Sequence, residues 1–353
     1  MSAQKTPLIT FVRYARNDGY APNYELRLNL SNDVLIRQAE QYQVPIEILI
    51  VEWNPPADRP PLRHILDTPT ASDYATIRII TVPPEFHRGF KGASAKGLHP
   101  ARALNVGYRR AHGTFVTPFA SDSLLSDTVF EYAVQKGFDE RHIYRLDRFD
   151  IDPEFLEKAQ RGTENPSELF ELCETYIVNQ LSAQDETLSD PLELPRLHTN
   201  AAGDFLLMSR SRWHRLQGQP ENCDVSCLDT DSITLHAAAT YGGQEIRLPE
   251  SCRLYKIIHG KVNRLRVQPI WNLWSRSLSA LIRRFSASTA TRAYLRGLVD
   301  IPRRSMAGMP GSYVSFEKNF YLKARRWHRD KTEIQLNDDN WGLGNTELHE
   351  QIL

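Results

Sequence analysis

The chain is poor in the features that sort a sequence quickly. It has no run of about 18 apolar residues, so no helix spanning a bilayer is expected. It has no surplus of either charge. Its 43 Lys and Arg face 43 Asp and Glu, and a formal net charge of zero provides no global field toward nucleic acid. Four cysteines in 353 residues (Cys173, Cys223, Cys227, Cys252) make no disulfide framework, and Cys223 with Cys227 lacks the second pair that a zinc site needs. No secretory leader is expected, because the apolar run at 7–12 reads as a first strand, and the expected compartment is reducing cytoplasm. There is no internal repeat. What remains is a globular composition, 41% hydrophobic and 24% charged, long enough for one large α/β domain with an extension or for two domains.

Strand and helix patterns alternate through the first 120 residues. Residues 8–12 read as a strand. Leu26, Leu30, Val34, Leu35 and Ala39 recur at helical spacing across 24–42. The continuous β-rich runs 46–51 and 77–82 suit strands covered on both faces, and proline pairs at 55–56, 60–61 and 83–84 break the chain around them. A helix over 100–111 precedes a strand over 114–119. This order predicts a mostly parallel sheet flanked by helices. Residues 151–195 are polar and acidic, with one helix expected near 168–181, and read as an insertion over the sheet. Further on come a strand at 203–208, helices near 211–216 and 229–240, and strands within 245–258. From 253 to 304, twelve Arg or Lys stand against one acid, Asp300. Within that stretch, 271–298 is basic and amphipathic, so it either lies on an anionic membrane surface or folds onto the domain with its arginines solvated. Trp341 is expected to tuck back onto the domain.

The richest stretch is 109–126: a helix end, a turn at Gly113, a buried strand, then Asp122 in a polar loop. Open α/β sheets bind ligands just beyond the carboxyl ends of their strands, so Asp122 is placed to meet a ligand or metal. The first strand ends in a turn holding Arg13, Asn17 and Asp18, and the second ends in Glu52-Trp53-Asn54. A carboxylate there accepts from a base N–H or ribose hydroxyl, and a backbone turn or arginine meets phosphate. As a second reading, Asn17, Asp18 and Asn54 are turn formers only. Arg145 and Arg148 either neutralise a diphosphate or an acidic acceptor, or pair with Asp147 and Asp150.

Taken in order, these segments resemble the GT-A fold of inverting, family-2-like glycosyltransferases, over roughly residues 7 to 262. Ala15-Arg16-Asn17-Asp18 stands at their first nucleotide loop, and Glu52 where they place an Asp that reads the base. Ala103-Leu104-Asn105-Val106-Gly107 with Ala111-His112-Gly113 matches the segment that packs under diphosphate and sugar. Asp122 stands at the second acid of their Asp-x-Asp, with Ala120 at the first. Ala202-Gly203-Asp204-Phe205, then Trp213, Gly218, Pro220-Glu221 and Leu228-Asp229-Thr230-Asp231, is similar to a galactosyltransferase-like acceptor module. Residues 252–259 resemble the strand whose histidine, His259 here, closes the metal site.

The resemblance implies a metal-dependent inverting glycosyltransferase using a nucleotide diphospho-sugar, with a UDP-sugar as the first expectation. Mn²⁺ or Mg²⁺ would be held by Asp122 and His259. Asp229 would be the general base. Arg13, Asn17, Asp18, Glu52, Asn105, Arg145 and Arg148 would bind the donor. Asp204, Trp213 and Glu221 would bind the acceptor, a glycan or lipid-linked glycan. The implied organisation is a catalytic domain over 1–262, with a nucleotide-sugar half to 125 and an acceptor half from 126, and a basic, largely helical extension over 263–353. Membrane contact, if any, would be peripheral, through 271–298, at an inner membrane face. The alternative is a catalytically silent GT-A domain that binds nucleotide or glycan as a scaffold, which Ala120 and Leu228 favour. A nucleotidyltransferase would want a Gly-rich, Lys-bearing first loop, and 13–20 offers only Gly19.

Overall fold

The computed structural model describes residues 5–67, 72–90, 93, 97–159, 166–181, 195, 197–199, 201–221, 230–259, 324–330 and 334–353. The apolar runs become strands and the 3.6-periodic segments become helices: β1 (Ile9–Ala15), α1 (Tyr24–Tyr42), β2 (Ile46–Trp53), β3 (Ala75–Val82), α2 (Pro84–Arg88), α3 (Pro100–Arg110) and β4 (Phe115–Pro118). The middle of the chain adds β5 (Ser123–Leu125), α4 (Asp127–Gln135), β6 (Ile143–Arg145), β7 (Asp147–Ile151), α5 (Phe155–Ala159), α6 (Pro166–Thr175) and β8 (Ile177–Leu181). The remainder comprises β9 (Met208–Ser209), α7 (Arg210–Leu216), α8 (Thr230–Ala239), β10 (Glu245–Arg247), β11 (Arg253–Ile257) and, at the C-terminus, β12 (His349–Ile352).

The central sheet runs β12-β3-β2-β1-β4-β9, with β1 to β4 parallel and the outer two antiparallel. This is the α/β class expected, a mostly parallel sheet flanked by helices. Every residue of β2 is buried because both faces are covered. Ile46, Ile48 and Ile50 pack with Leu28 and Leu35 of α1, while Leu49 and Val51 pack with Ala103, Leu104 and Val106 of α3. Gly107 makes the second contact possible, since a Cβ there would lie 2.3 Å from Val12 Cγ1. A second sheet, β5-β11-β7-β8, lies beyond the end of β4, and β6 pairs with β10.

Three expectations need correction. The helix expected over 168–181 stops at Thr175, and β-branched Ile177 and Val178 open β8, antiparallel to β7. The strand expected over 203–208 shrinks to Met208–Ser209. Upstream of it the chain turns, and the Leu206 N–H donates to the Thr117 hydroxyl rather than to a ladder. Third, within 263–353 the described residues hold a helix at 324–330 but then return to the central sheet as β12. The basic stretch 271–298 lies outside the described residues. Among those described, no helix is long and apolar enough to cross a membrane.

Trp341 does tuck back: it is buried against α3, edge-on to His214 with ring centroids 5.4 Å apart. Arg109 donates to the carbonyls of Asp339 and Trp341, and Arg110 to those of Gly342, Leu343 and Thr346. Truncating Trp341→Ala is expected to lower the free energy of unfolding by about 3 kcal/mol, as for other buried aromatics. Urea denaturation measures this; a change under about 0.5 kcal/mol would mean the tail adds nothing to the core.

Candidate active site

The parallel register sets Ala15 beside Glu52, and Glu52 beside Thr81, at one edge of the sheet. Beyond β4 the chain turns through Ser121 to Asp122, whose carbonyl accepts from the Ile257 N–H at 2.9 Å. That bond fastens the loop to β11. Lys256 pairs with Ser123 of β5 on one side and Asp150 of β7 on the other. Register alone therefore gathers one lysine and two carboxylates at the edge where such sheets hold ligands.

The side chains complete the cluster. Asp122 Oδ2 is 2.7 Å from His259 Nε2. Lys256 Nζ lies 2.6 Å from Asp204 Oδ1 and 3.9 Å from Asp122 Oδ1. Arg148 bridges Asp204, at 2.5 Å, and Asp150, at 2.8 Å. From α1, Arg27 donates to His259 Nδ1 and to the Ile258 carbonyl. Tyr20 stands edge-on to the His259 ring. Below lies Arg13, wholly buried, with Nη1 on Asn32 and the guanidinium 5.1 Å from the Phe119 ring centre. Its Nε and Nη2 have no hydrogen-bond partner among the described residues.

The charges hold one another ionised. Burial alone would raise the Asp122 carboxyl, but Lys256 and then the His259 bond bring it down to about 2. Asp204 follows the same pattern: burial raises it, and Lys256 with Arg148 hold it below the usual carboxylate range. Burial would lower the Lys256 ammonium, yet Asp204 and Asp122 raise it well above its ordinary value. Arg13 is lowered by burial to about 9, against the pull of Tyr24 and Asp122, and remains a cation at neutral pH. Asp231, in the first turn of α8, is raised by burial even though it accepts from the Gly203 and Ser232 N–H groups.

Of the residues singled out from sequence, Asp122, His259, Asp204 and Arg148 meet in this cluster, with Arg13 beneath it. Others stand at its rim. Glu52 accepts from the Leu62 N–H at 2.7 Å and the Thr81 hydroxyl at 3.3 Å, so its carboxylate holds the loop after β2. Asn17 donates to the Pro60 carbonyl. Asp18 pairs with Arg16 and accepts from the Tyr20 N–H, the turn-forming role. Four of the residues are not brought to the cluster. Trp213 is core, stacked on Tyr108 at 3.9 Å with its indole N–H on the Val116 carbonyl. Asn105 and Glu221 tie α3 to 219–221 and the Gly342 N–H. Arg145 is wholly buried and donates to the His198 carbonyl. Asp229, with Cys223, Cys227 and Leu228, lies outside the described residues.

Sequence reading passed over Lys256 and Arg27, and gave Arg16 no role beyond its place in the first loop. The period of two in β11 puts Lys256 on the opposite face from Tyr255 and Ile257, and that was the available signal. Arg16 donates to the Asn54 carbonyl at 2.7 Å and forms the mouth of the first turn. A cavity of about 750 Å³ lies away from this cluster, among Arg78, Arg110, His112, Arg210 and His214. Arg78 there is paired with Glu47 and Glu350, and Arg110 with carbonyls of the tail, so it is a seam of the fold.

Oxygen and imidazole donors such as Asp122 and His259 suit Mn²⁺ or Mg²⁺ by type. Their arrangement does not fit one. A guanidinium only donates, so Arg27 makes His259 Nδ1 the acceptor, and the ring proton then sits on Nε2, aimed at Asp122. A metal-ligating histidine has the reverse polarity, its second nitrogen donating to a carboxylate or carbonyl. Lys256 also sets a fixed positive charge beside the carboxylate. Among the described residues no three His, Cys, Asp or Glu come together as a cation site.

No protein-family model matches the sequence, and no curated protein matches it. Solved structures show similarity of shape. TarS residues 1–349 of S. aureus is 11% identical, with 94% of this chain and 97% of that one covered at a TM-score of 0.43. The catalytic domain of Drosophila β1,4-galactosyltransferase 7, in complex with xylobiose, is 11% identical over 73% of each chain, at 0.36. The galactosyltransferase LgtC, in complex with donor and acceptor sugar analogs, is 15% identical over 58% of this chain and 59% of that one, at 0.31. At such scores the likeness carries no inference about chemistry.

Asp122 has a folded pKa near 2 against an ordinary 3.8, so its contribution to stability is complete above about pH 4 and is lost as pH falls through 2. The contribution is about 2 kcal/mol. Urea unfolding at a series of acid pH values is expected to show a flatter stability profile between pH 4 and 2 in Asp122→Asn; an unchanged profile would mean the carboxylate is unpaired in solution.

Proposed function

We propose that the chain is an inverting glycosyltransferase, moving a sugar from a nucleotide diphospho-sugar, with a UDP-sugar first, to a hydroxyl of a glycan or lipid-linked glycan. One observation carries this reading: Asp122, Asp204 and the pair Lys256 and His259 converge from three segments at the carboxyl edge of a parallel sheet. That edge is where open α/β sheets take nucleotides. In this reading the nucleoside lies over Ala15 and Glu52, beside the turn held by Arg16 and Asp18, and its diphosphate reaches Lys256 and Arg148.

The chemistry follows from those positions. The acceptor oxygen bonds to the anomeric carbon as the bond from that carbon to the diphosphate oxygen breaks, through an oxocarbenium-like state. The electron pair leaves with the diphosphate, whose growing charge the cationic side chains stabilise. The hydroxyl proton passes to a carboxylate on the opposite face, and a single displacement inverts the centre. Asp229 is the base in this proposal, on the resemblance described above; it immediately precedes Thr230, where α8 opens against Gly203.

Calorimetry with UDP and a panel of UDP-sugars, together with donor hydrolysis using water as acceptor, tests the reading. Asp229→Asn is expected to bind donor as the parent does and to turn over at least about a hundredfold more slowly. Retained turnover would move the base elsewhere. UDP binding with no hydrolysis or transfer of any sugar would leave the silent scaffold, to which Ala120 points.

A further inference from the structure

We infer that this chain neutralises the diphosphate of its donor with Lys256, backed by Arg148 and the buried Arg13, and that it works without a divalent cation; the inference rests on the nucleotide-sugar reading above. Four independent observations agree. At position 120, alanine stands where the resembled motif has its first acid, so only one carboxylate of that pair is present. Lys256 Nζ lies between Asp204 and Asp122, at 2.6 and 3.9 Å, on the side of Asp122 not taken by His259. His259 is polarised by Arg27 so that Nε2 donates to Asp122 and offers no lone pair. Arg13 is wholly buried, and two of its three nitrogens lack a hydrogen-bond partner among the described residues. A buried cation so poorly satisfied is stabilised by an anion above it.

The parts divide by exposure. Lys256 and Arg148 side chains are 22% and 20% exposed, enough to meet phosphate oxygens directly. Arg13 is covered and acts only through its field. Asp122 and Asp204 hold Lys256 in place and keep it charged, so the ammonium is fixed before the donor arrives. That is the preorganised charge a departing diphosphate requires, with no reorganisation as it leaves. His259 is a positioning residue, which fixes Asp122 through the Nε2 hydrogen bond and is itself fixed by Arg27.

Calorimetric titration of the full chain with UDP, in EDTA and then in Mn²⁺, is the test. Dissociation constants within about twofold of each other are expected, with UDP-sugar hydrolysis persisting in EDTA. Lys256→Met is expected to weaken UDP by about tenfold or more, as for loss of a charged hydrogen bond, and Lys256→Arg to restore most of it. UDP binding seen only with Mn²⁺ would overturn the inference and leave the glycosyltransferase reading intact; this arm uses the parent protein and needs no variant to fold. A Lys256→Met protein with parental affinity would overturn it too. Binding of no nucleoside diphosphate in either buffer would overturn both readings together.

Discussion

The backbone hydrogen bond from Ile257 to the Asp122 carbonyl continues the β5–β11 ladder and ties the loop after β4 to the second sheet. Through it the loop after the last parallel strand is locked to the second sheet, in one register. A slip of one residue would turn Lys256 to the opposite face and put Tyr255 or Ile257 in its place. Both of those pack in an apolar cluster with Phe149, Ile151 and Phe155. Burial on that face therefore fixes the register, and the register delivers the lysine to Asp122 and Asp204. The charged cluster is a by-product of where greasy residues had to go.

The central sheet contributes the other constraint. Because α1 and α3 cover opposite faces of β1 and β2, the strands are buried on both faces. The C-terminal tail then closes the seam. β12 caps the edge of β3, which would otherwise expose an unpaired ladder, and the arginines at the end of α3 anchor the turn before it through carbonyls alone. Gly342 lies against the Asn105 backbone, where any side chain would collide, so the tail, α3 and the 217–221 loop meet at one point. Asn105 and Glu221 belong to that junction.

The fold was readable to the extent that local pattern decides it. Continuous β-rich runs gave β1 to β3, and spaced leucines gave α1, because in a sheet covered on both faces burial and propensity agree. Residues 177–181 were misread because Ile-Val-Asn-Gln-Leu carries no strong period, and pairing with β7 decided the outcome. In the site, Asp122 was found from its place beyond a buried strand and His259 through a resemblance, and they do meet. Trp213, Asn105 and Glu221 were assigned through the resemblance, and Arg145 from its place by a short apolar strand. Their partners, up to about a hundred residues away or more, satisfy them inside the core, and such pairings leave no trace in sequence. Lys256 and Arg27 were missed for the converse reason: a cation acquires a role only when the fold shows which carboxylate or imidazole it faces.

Ala120 and Lys256 are best understood together. A site with two carboxylates side by side needs a compensating charge, because like charges at that range cannot both stay ionised without one. A divalent cation is one solution, and an internal ammonium is another. Here the acids that remain, Asp122 and Asp204, come from separate loops and share one lysine between them. That lysine stays partly exposed and charged between them. The imidazole obeys the same logic. His259 stands between Arg27, against its Nδ1, and Asp122, 2.7 Å from its Nε2, and so fixes the carboxylate in place. In the inference drawn above, the alanine that reads in sequence as a missing ligand goes with a lysine that supplies the positive charge from the protein itself.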